Sequence, residues 1–483
     1  MSTQPQLPRH DLLIDGKRLP PGTGEYSTDI NPATELPIAL VAQGSAADVD
    51  LAVSAARAAL KVWCGLRAAE RGRILYRFAD LLEANQEELT ALESLDAGKP
   101  LAAVRRQDMP AVIDTVRYYA GWADKINGQV VPTRPGALTY TVREPVGVVA
   151  AIVPWNFPLM IGMWKIAPAL ACGCTLIVKP AEITPLTALR VGELALQAGL
   201  PPGVLNIVTG KGSVVGNALV AHPGIDKVTF TGSPGVGRGI MQGAAANFKR
   251  ITLELGGKSA NLIFADANVD AAVRAAASGI FFNAGQVCSA GSRILAQREV
   301  YDEVVEKLAA RAASIRVGDP AAPDTTMGPL VSSTQMKTVL DYVEIGKREG
   351  AIAVTGGERV GGKGYYVQPT VFANVGHEMR VSQEEIFGPV ASVIRFEDEA
   401  DAVRIANGTA FSLAAGVWSA DIGRVHQVAA ELKAGTVWIN TYGHTDVRLP
   451  WGGAGDSGLG REHGDAAIDN FTEPKAIWLS LRQ

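Results

Sequence analysis

Residues 146–153 read Val-Gly-Val-Val-Ala-Ala-Ile-Val, and residues 154–158 follow as Pro-Trp-Asn-Phe-Pro. The first string has no polar side chain and is as long as a buried strand. The second contains two prolines, which stop the strand at a turn. Residues 145–164 carry no charge at all, which raises the alternative of a membrane span. Pro145, Pro154, Pro158 and Asn156 argue against it, because they would leave backbone and amide groups unsatisfied in lipid. A buried strand, Val146 to Val153, ending in a turn is the expectation.

Further segments that look like short buried strands lie downstream, at Thr175–Lys179, Val204–Val208 and Lys227–Thr231. Helical patterns separate them, at Pro185–Ala198 and Ser213–Ala221. Buried strands alternating with amphipathic helices predict a doubly wound parallel sheet. A second α/β set follows Gly257. Its strands are expected at Asn261–Phe264, Gly364–Val371, Val390–Phe396 and Thr436–Asn440. Its helices are expected at Val269–Phe282, Tyr301–Ile315 and Gln335–Arg348. Upstream, the first third reads as helical, at Ala46–Trp63, Ala68–Ala97 and Ala111–Trp122. Gln129–Val142 reads as an extended hairpin-like excursion, and Phe471–Leu481 is β-like again.

The 483 residues suggest about three domains. An apolar share of 47% and a net charge of -4 exclude a disordered chain and argue against a basic nucleic-acid or membrane surface. Four cysteines, Cys64, Cys172, Cys174 and Cys288, form no disulfide framework, so a reducing cytoplasm is expected. The first ten residues lack the apolar core of a signal peptide.

Several strings imitate sites. Gly257-Lys-Ser259 ends like a phosphate loop, but the glycine required five positions before Gly257 is Thr252. Gly455-Asp-Ser-Gly458 has no partner histidine to make a protease triad. Cys172 and Cys174 lie in an apolar run and read as core thiols, so no metal is expected. Gly210, Gly212 and Gly216 follow a strand, with spacing one residue too long for the dinucleotide fingerprint.

Three residues carry candidate chemistry. Cys288, in Asn-Ala-Gly-Gln-Val-Cys-Ser-Ala-Gly-Ser at 283–292, is flanked by small polar residues and glycines, a setting for a nucleophilic thiol or for a small buried residue. Glu254, between Leu253 and Leu255 at a strand end, is desolvated and so suited to act as a general base, or to pair with Lys258. Asn156, held between prolines, suits an oxyanion donor or an Asx turn. Ser233 can cap a helix beginning at Pro234, so that free N–H groups face a phosphate, and Lys179 and Glu182 stand at a neighbouring sheet edge. Each of these also has an ordinary capping or surface reading.

Six strings together resemble the NAD(P)-dependent, non-acylating aldehyde dehydrogenase superfamily: Pro-Trp-Asn-Phe-Pro (154–158), Lys-Pro-Ala-Glu (179–182), Phe-Thr-Gly-Ser (230–233), Glu-Leu-Gly-Gly-Lys-Ser (254–259), Gly-Gln-Val-Cys (285–288) and Glu-Glu-Ile-Phe-Gly-Pro (384–389). The resemblance implies an α/β fold with two doubly wound parallel-sheet domains. These would be a variant Rossmann NAD-binding domain (1–122 and 146–256) and a catalytic domain (257–466). A small β oligomerisation flap (123–145 and 467–483) would join homodimers or homotetramers.

The resemblance also implies roles. Cys288 is the nucleophile, Asn156 the oxyanion donor, Glu254 the water-activating base, Lys165 a cofactor-side lysine and Glu462 a further proton relay. NAD would lie against Ile152, Pro154, Trp155, Phe230, Thr231, Gly232, Ser233, Leu255 and Gly256, with Gly212 and Gly216 nearby. Lys179 and Glu182 would bind one ribose, Glu182 disfavouring a 2′-phosphate, and Glu385 the other, beside Phe387. Gly455 stands where the family often has lysine. Phe157, Met160, Trp164, Val287, Ser289 and Trp451 would line the substrate funnel with the loop Tyr442–Arg448, which carries His444, Thr445, Asp446 and Arg448. The aromatics favour a medium-chain or aromatic aldehyde. An inward Asp446 would favour an amino or betaine-type aldehyde instead, and an inward Arg448 a semialdehyde. A CoA-acylating enzyme would not need Glu254, and a catalytically silent binding protein on this scaffold would not keep Cys288.

Overall fold

The computed structural model describes residues 7–481. The leading residues of the sequence judged not to be a signal peptide, and the last two of the expected flap, therefore lie outside the described residues. Two large sheets organise the chain. The first has eight strands. Its parallel centre runs, in spatial order, Arg250–Glu254, Lys227–Thr231, Val148–Ile152, Thr175–Lys179 and Leu205–Ile207. Every residue of Val148–Ile152, Thr175–Lys179 and Lys227–Thr231 is buried. Helices cover both faces, which is why these strands show no alternation.

Chain order reverses in the middle of this sheet. From Val148–Ile152 the chain steps outward through Thr175–Lys179 to Leu205–Ile207, then returns to place Lys227–Thr231 on the opposite side. At such a reversal the loops leaving adjacent strands diverge and open a crevice outside the strands' carboxyl ends. Here those loops begin at Val153 and Gly232.

The second sheet has seven strands, in the order Ile352–Thr355, Thr370–Ala373, Val390–Phe396, Arg293–Gln297, Ala260–Ile263, Ala414–Trp418 and Thr436–Ile439. All its pairings are parallel except that of the first strand. Gly458–Leu459 crosses back to pair antiparallel with Arg250–Glu254 in the first sheet. The segments 137–145 and 472–480 form a separate two-stranded antiparallel ribbon. A bridge from Val130 to Tyr140 gives the hairpin-like excursion.

Some elements differ from expectation. The first third is not purely helical: Arg9–His10, Leu36–Ala42 and Tyr26–Asn31 form a small sheet, and Leu12–Ile14 and Lys17–Leu19 extend the first large one. The long run Ala68–Ala97 is two helices, Ala68–Ala84 and Gln86–Ala97, broken at Asn85. The strand expected at Gly364–Val371 is Thr370–Ala373, because Gly364 sits at φ +78° in a turn. A helix, Pro158–Cys172, escaped notice because its residues are buried on nearly every side and it therefore has no polar face. Together with Val148–Ile152 it accounts for the uncharged stretch. No helix among the described residues is long and apolar enough to cross a membrane.

Candidate active site

A cavity of about 240 Å3 opens at the chain reversal of the first sheet. Pro154, Trp155 and Asn156 reach it from the end of Val148–Ile152. Thr231, Gly232 and Ser233 come from the end of Lys227–Thr231, and Leu255 and Gly256 from the end of Arg250–Glu254. Cys288, Gln335, Glu385 and Phe387 close it from the second sheet's side. Trp155 and Phe387 meet edge to face at 5.1 Å.

Cys288 is presented by a sharp reversal. After the helix Val269–Phe281, Asn283, Ala284 and Gly285 are all left-handed, at φ +50°, +53° and +72°. Three such residues in a row cannot continue a helix. The Asn156 side chain locks onto this loop: its Nδ2 donates to the Gln286 carbonyl (2.9 Å), and Asn283 Nδ2 donates to the Asn156 carbonyl (2.9 Å). One Asn156 N–H remains for a ligand. Gly257 packs so close that a Cβ there would stand 2.3 Å from the Cys288 carbonyl oxygen. A Cβ on Gly256 would stand 2.1 Å from Glu385 Oε2. The paired glycines thus let a nucleophile loop and a carboxylate crowd one strand end.

Burial dominates the electrostatics of the ionisable groups here. Burial pushes the Cys288 thiol up to about 12, with Glu385 and Glu254 adding, while the backbone N–H groups of Ser289 and Cys288 pull the other way. Burial raises Glu385 to about 7, against the Gly257 N–H it accepts (3.0 Å) and nearby Lys258. Glu254 is raised well above the carboxylate range by burial and then by Glu462, against Lys165 and Arg461. Its Oε1 has no partner and faces Gly452. Lys165 is fully buried and pairs with Glu462, also donating to Thr229 Oγ1 (3.3 Å). Lys165 therefore sits behind Glu254 rather than on the cavity wall.

A second group gathers beside the cavity. Glu182 Oε1 accepts from the Gly212 N–H at 2.6 Å. Buried Lys179 donates to the Pro180 carbonyl (2.9 Å), and burial lowers its ammonium to about 8 despite Glu182. Gly216 lies against the Lys179 side chain. Ile152 and Phe230 are not on the cavity wall; they pack inside the sheet's apolar layer.

A larger cavity, about 500 Å3, lies on the other side of Trp164 and Met160. Thr445, Asp446, Val447, Arg448, Tyr118 and Asp114 also line it. Asp446 and Arg448 are bound to each other by two side-chain hydrogen bonds (2.8 and 2.6 Å). Phe157, Trp164, Trp438, Tyr442 and Trp451 form an apolar cluster on which Met160, Val287 and Cys288 pack, so this cluster stands between Cys288 of the first cavity and Met160 and Trp164 of the second. Ser289 is buried, its carbonyl taken by the Tyr442 hydroxyl (2.9 Å). His444 is exposed and lines neither cavity; its carbonyl accepts from Trp438 Nε1 (2.9 Å). Gln335, which holds the Ile386 and Phe387 carbonyls (3.2 and 2.9 Å), had no motif to reveal it. His463, on the wall of the larger cavity, had none either.

Residues 21–477 match the model of the aldehyde dehydrogenase family. The chain is 48% identical to an aldehyde dehydrogenase of Emericella nidulans, over 97% of this chain and 95% of that protein. It is similar to the NAD+ complex structure of aldehyde dehydrogenase from Bacillus cereus (TM-score 0.97, 46% identity, 98% of this chain and 97% of that one). It is also similar to betaine aldehyde dehydrogenase from Staphylococcus aureus in complex with NAD+ (TM-score 0.96, 41% identity, 98% of this chain and 95% of that one).

Proposed function

The chain belongs to the aldehyde dehydrogenase family, and on that premise we propose that it oxidises a medium-chain or aromatic aldehyde to the carboxylic acid with NAD, using Cys288 as nucleophile. The observation that supports this reading is that Cys288 lines a crevice built from three adjacent strand ends. The residues fit a dinucleotide. Ser233 caps the helix Pro234–Ala245, whose N-terminus opens on the cavity and suits a pyrophosphate. Lys179 and Glu182 would hold one ribose and Glu385 the other. Bound NAD supplies the hydride acceptor.

The chain's own groups do the rest. The Cys288 sulfur, once deprotonated, attacks the aldehyde carbon. The free Asn156 N–H and the Cys288 backbone N–H hold the oxygen that gains charge. Loss of hydride from that carbon leaves a thioester on Cys288. Glu254 then takes a proton from water, which attacks the thioester and frees the acid and the thiol. Lys165 and Glu462, paired behind Glu254, are placed to pass that proton onward.

The aromatic walls at Phe157, Trp164 and Trp451 support an apolar substrate. Asp446 and Arg448 neutralise one another, so neither supplies an unpaired charge for an amino, betaine-type or semialdehyde substrate. The two-stranded ribbon is assigned to homodimer or homotetramer formation, and the cytoplasm is the proposed location. NADH absorbance tests the function across an aldehyde panel, with and without CoA. Acid formation without CoA is expected, and Cys288→Ala should lower the rate at least about 10³-fold. Turnover that requires CoA, or survives Cys288→Ala, would refute it.

A further inference from the structure

His463 follows Glu462 and belongs to none of the strings that carry the family resemblance. The chain around it is clamped. Trp451 and Glu462 exchange backbone hydrogen bonds (2.6 and 2.7 Å). The Gly464 N–H donates to the Val447 carbonyl (2.7 Å), and the Tyr119 hydroxyl donates to the Gly464 carbonyl (3.1 Å). Between these ties His463 adopts φ +64°, a left-handed conformation uncommon for a residue with a side chain. The clamp aims the imidazole at the wall of the larger cavity, edge to face with Trp164 at 4.3 Å.

His463 is 3% exposed, and neither ring nitrogen makes a hydrogen bond of normal geometry, although the Asp446 backbone carbonyl lies close enough to attract one N–H. Buried polar atoms are nearly always paired, so a ring without a well-formed hydrogen bond at a cavity wall points to a ligand. The neighbouring side chains do not serve it. Arg448 and Asp446 are joined to each other, and Lys165 is committed to Glu462 and Thr229. Thr115 donates to the Ala111 carbonyl (2.7 Å). Burial, with help from Lys165, lowers the imidazole to about 4 against the pull of the Asp446 backbone carbonyl and then of its carboxylate, so the ring is neutral and carries one donor and one acceptor.

We propose that His463 is a specificity-determining residue that hydrogen-bonds a hydroxyl group on the far end of the aldehyde, so that hydroxylated aldehydes are preferred over their deoxy counterparts. The proposal rests on reading the larger cavity as the aldehyde channel, which shares Trp164 and Met160 with the cluster against Cys288. A hydroxyl both donates and accepts, matching a neutral imidazole. A charged tail would lose its water beside Trp164 and Met160, while Asp114, the unpaired charge on this wall, is exposed and keeps its own water. A site built to bond a substrate hydroxyl discriminates against the analogue lacking it, because its own polar atoms stay unpaired.

The experiment compares kcat and KM with NAD for alkanals and ω-hydroxyalkanals matched in length, and for benzaldehyde against hydroxybenzaldehydes. At a best-fitting length the hydroxyl compound should be preferred at least about tenfold in kcat/KM, mostly through KM. His463→Leu should abolish that preference while keeping alkanal turnover within about threefold. His463→Gln, which retains a donor and an acceptor, should keep part of it. If the leucine variant does not fold, His463→Asn replaces it, since asparagine tolerates positive φ but is too short to bridge. The same preference in native and substituted enzyme, or none in the native enzyme, overturns the proposal. Failure of the native enzyme to oxidise any alkanal would instead overturn the underlying reading of function.

Discussion

Glu254 and Cys288 share one physical condition: each is held protonated by its surroundings, and each works only after losing that proton. Burial raises both, and the carboxylate of each neighbourhood adds to it. For groups shifted upward, the reactive forms accumulate as pH rises. The rate of NADH formation should therefore climb from about pH 6 to about pH 9, rather than level off above the ordinary carboxylate range. A flat profile from about pH 5 would show that neither group is perturbed. Glu254→Gln removes the base and leaves the nucleophile. A first-turnover burst of NADH should survive, while the steady rate falls about 10²- to 10³-fold. Loss of the burst together with the steady rate would place Glu254 in the first half-reaction instead.

The decisive elements are strand ends and the loops that leave them. Val148–Ile152 and Lys227–Thr231 lie side by side, Val149 opposite Lys227 and Ile152 opposite Phe230, so their exit loops diverge over the same crevice. Arg250–Glu254 adds a third exit, at Leu255–Gly257, and the glycines there are steric necessities. Gly257→Ala would set its Cβ 2.3 Å from a backbone oxygen, which has no rotamer by which to move away. The Cys288 loop must then shift, and a displacement of about 1 Å at the reacting atoms should cost about 10²-fold in kcat/KM, with circular dichroism unchanged. Native activity in that variant would show that the loop yields without moving the sulfur.

At the scale of the molecule, the ribbon of 137–145 and 472–480 stands apart from both large sheets. It exposes Trp478 (61%) and Leu479 (49%), with Val130 (72%) beside it. Exposed apolar residues on an unpaired edge form a surface for association. The native chain is expected to sediment as a dimer or tetramer. Trp478→Lys with Leu479→Lys should shift it toward monomer with the cavity chemistry intact per subunit. A native monomer would remove the ribbon's assigned purpose.

The sequence by itself determined the parallel sheet, since short strand-like segments such as Val146–Val153 and Thr175–Lys179, with apolar centres, alternate with amphipathic helices. It also determined Cys288, Glu254 and Asn156 as candidates, because each interrupts its local pattern with a reactive or polar group among glycines, leucines or prolines. Elements without such contrast were not legible. The helix Pro158–Cys172 is apolar on nearly every side, and Ala414–Trp418 holds small residues with little strand preference of their own. Only the tertiary structure decided the electrostatics and the walls of the larger cavity. Lys165 is turned toward Glu462, Asp446 toward Arg448, and the His463 ring toward an empty wall. Each of those orientations depends on partners brought together across long stretches of chain, and no local pattern of residues encodes such a meeting.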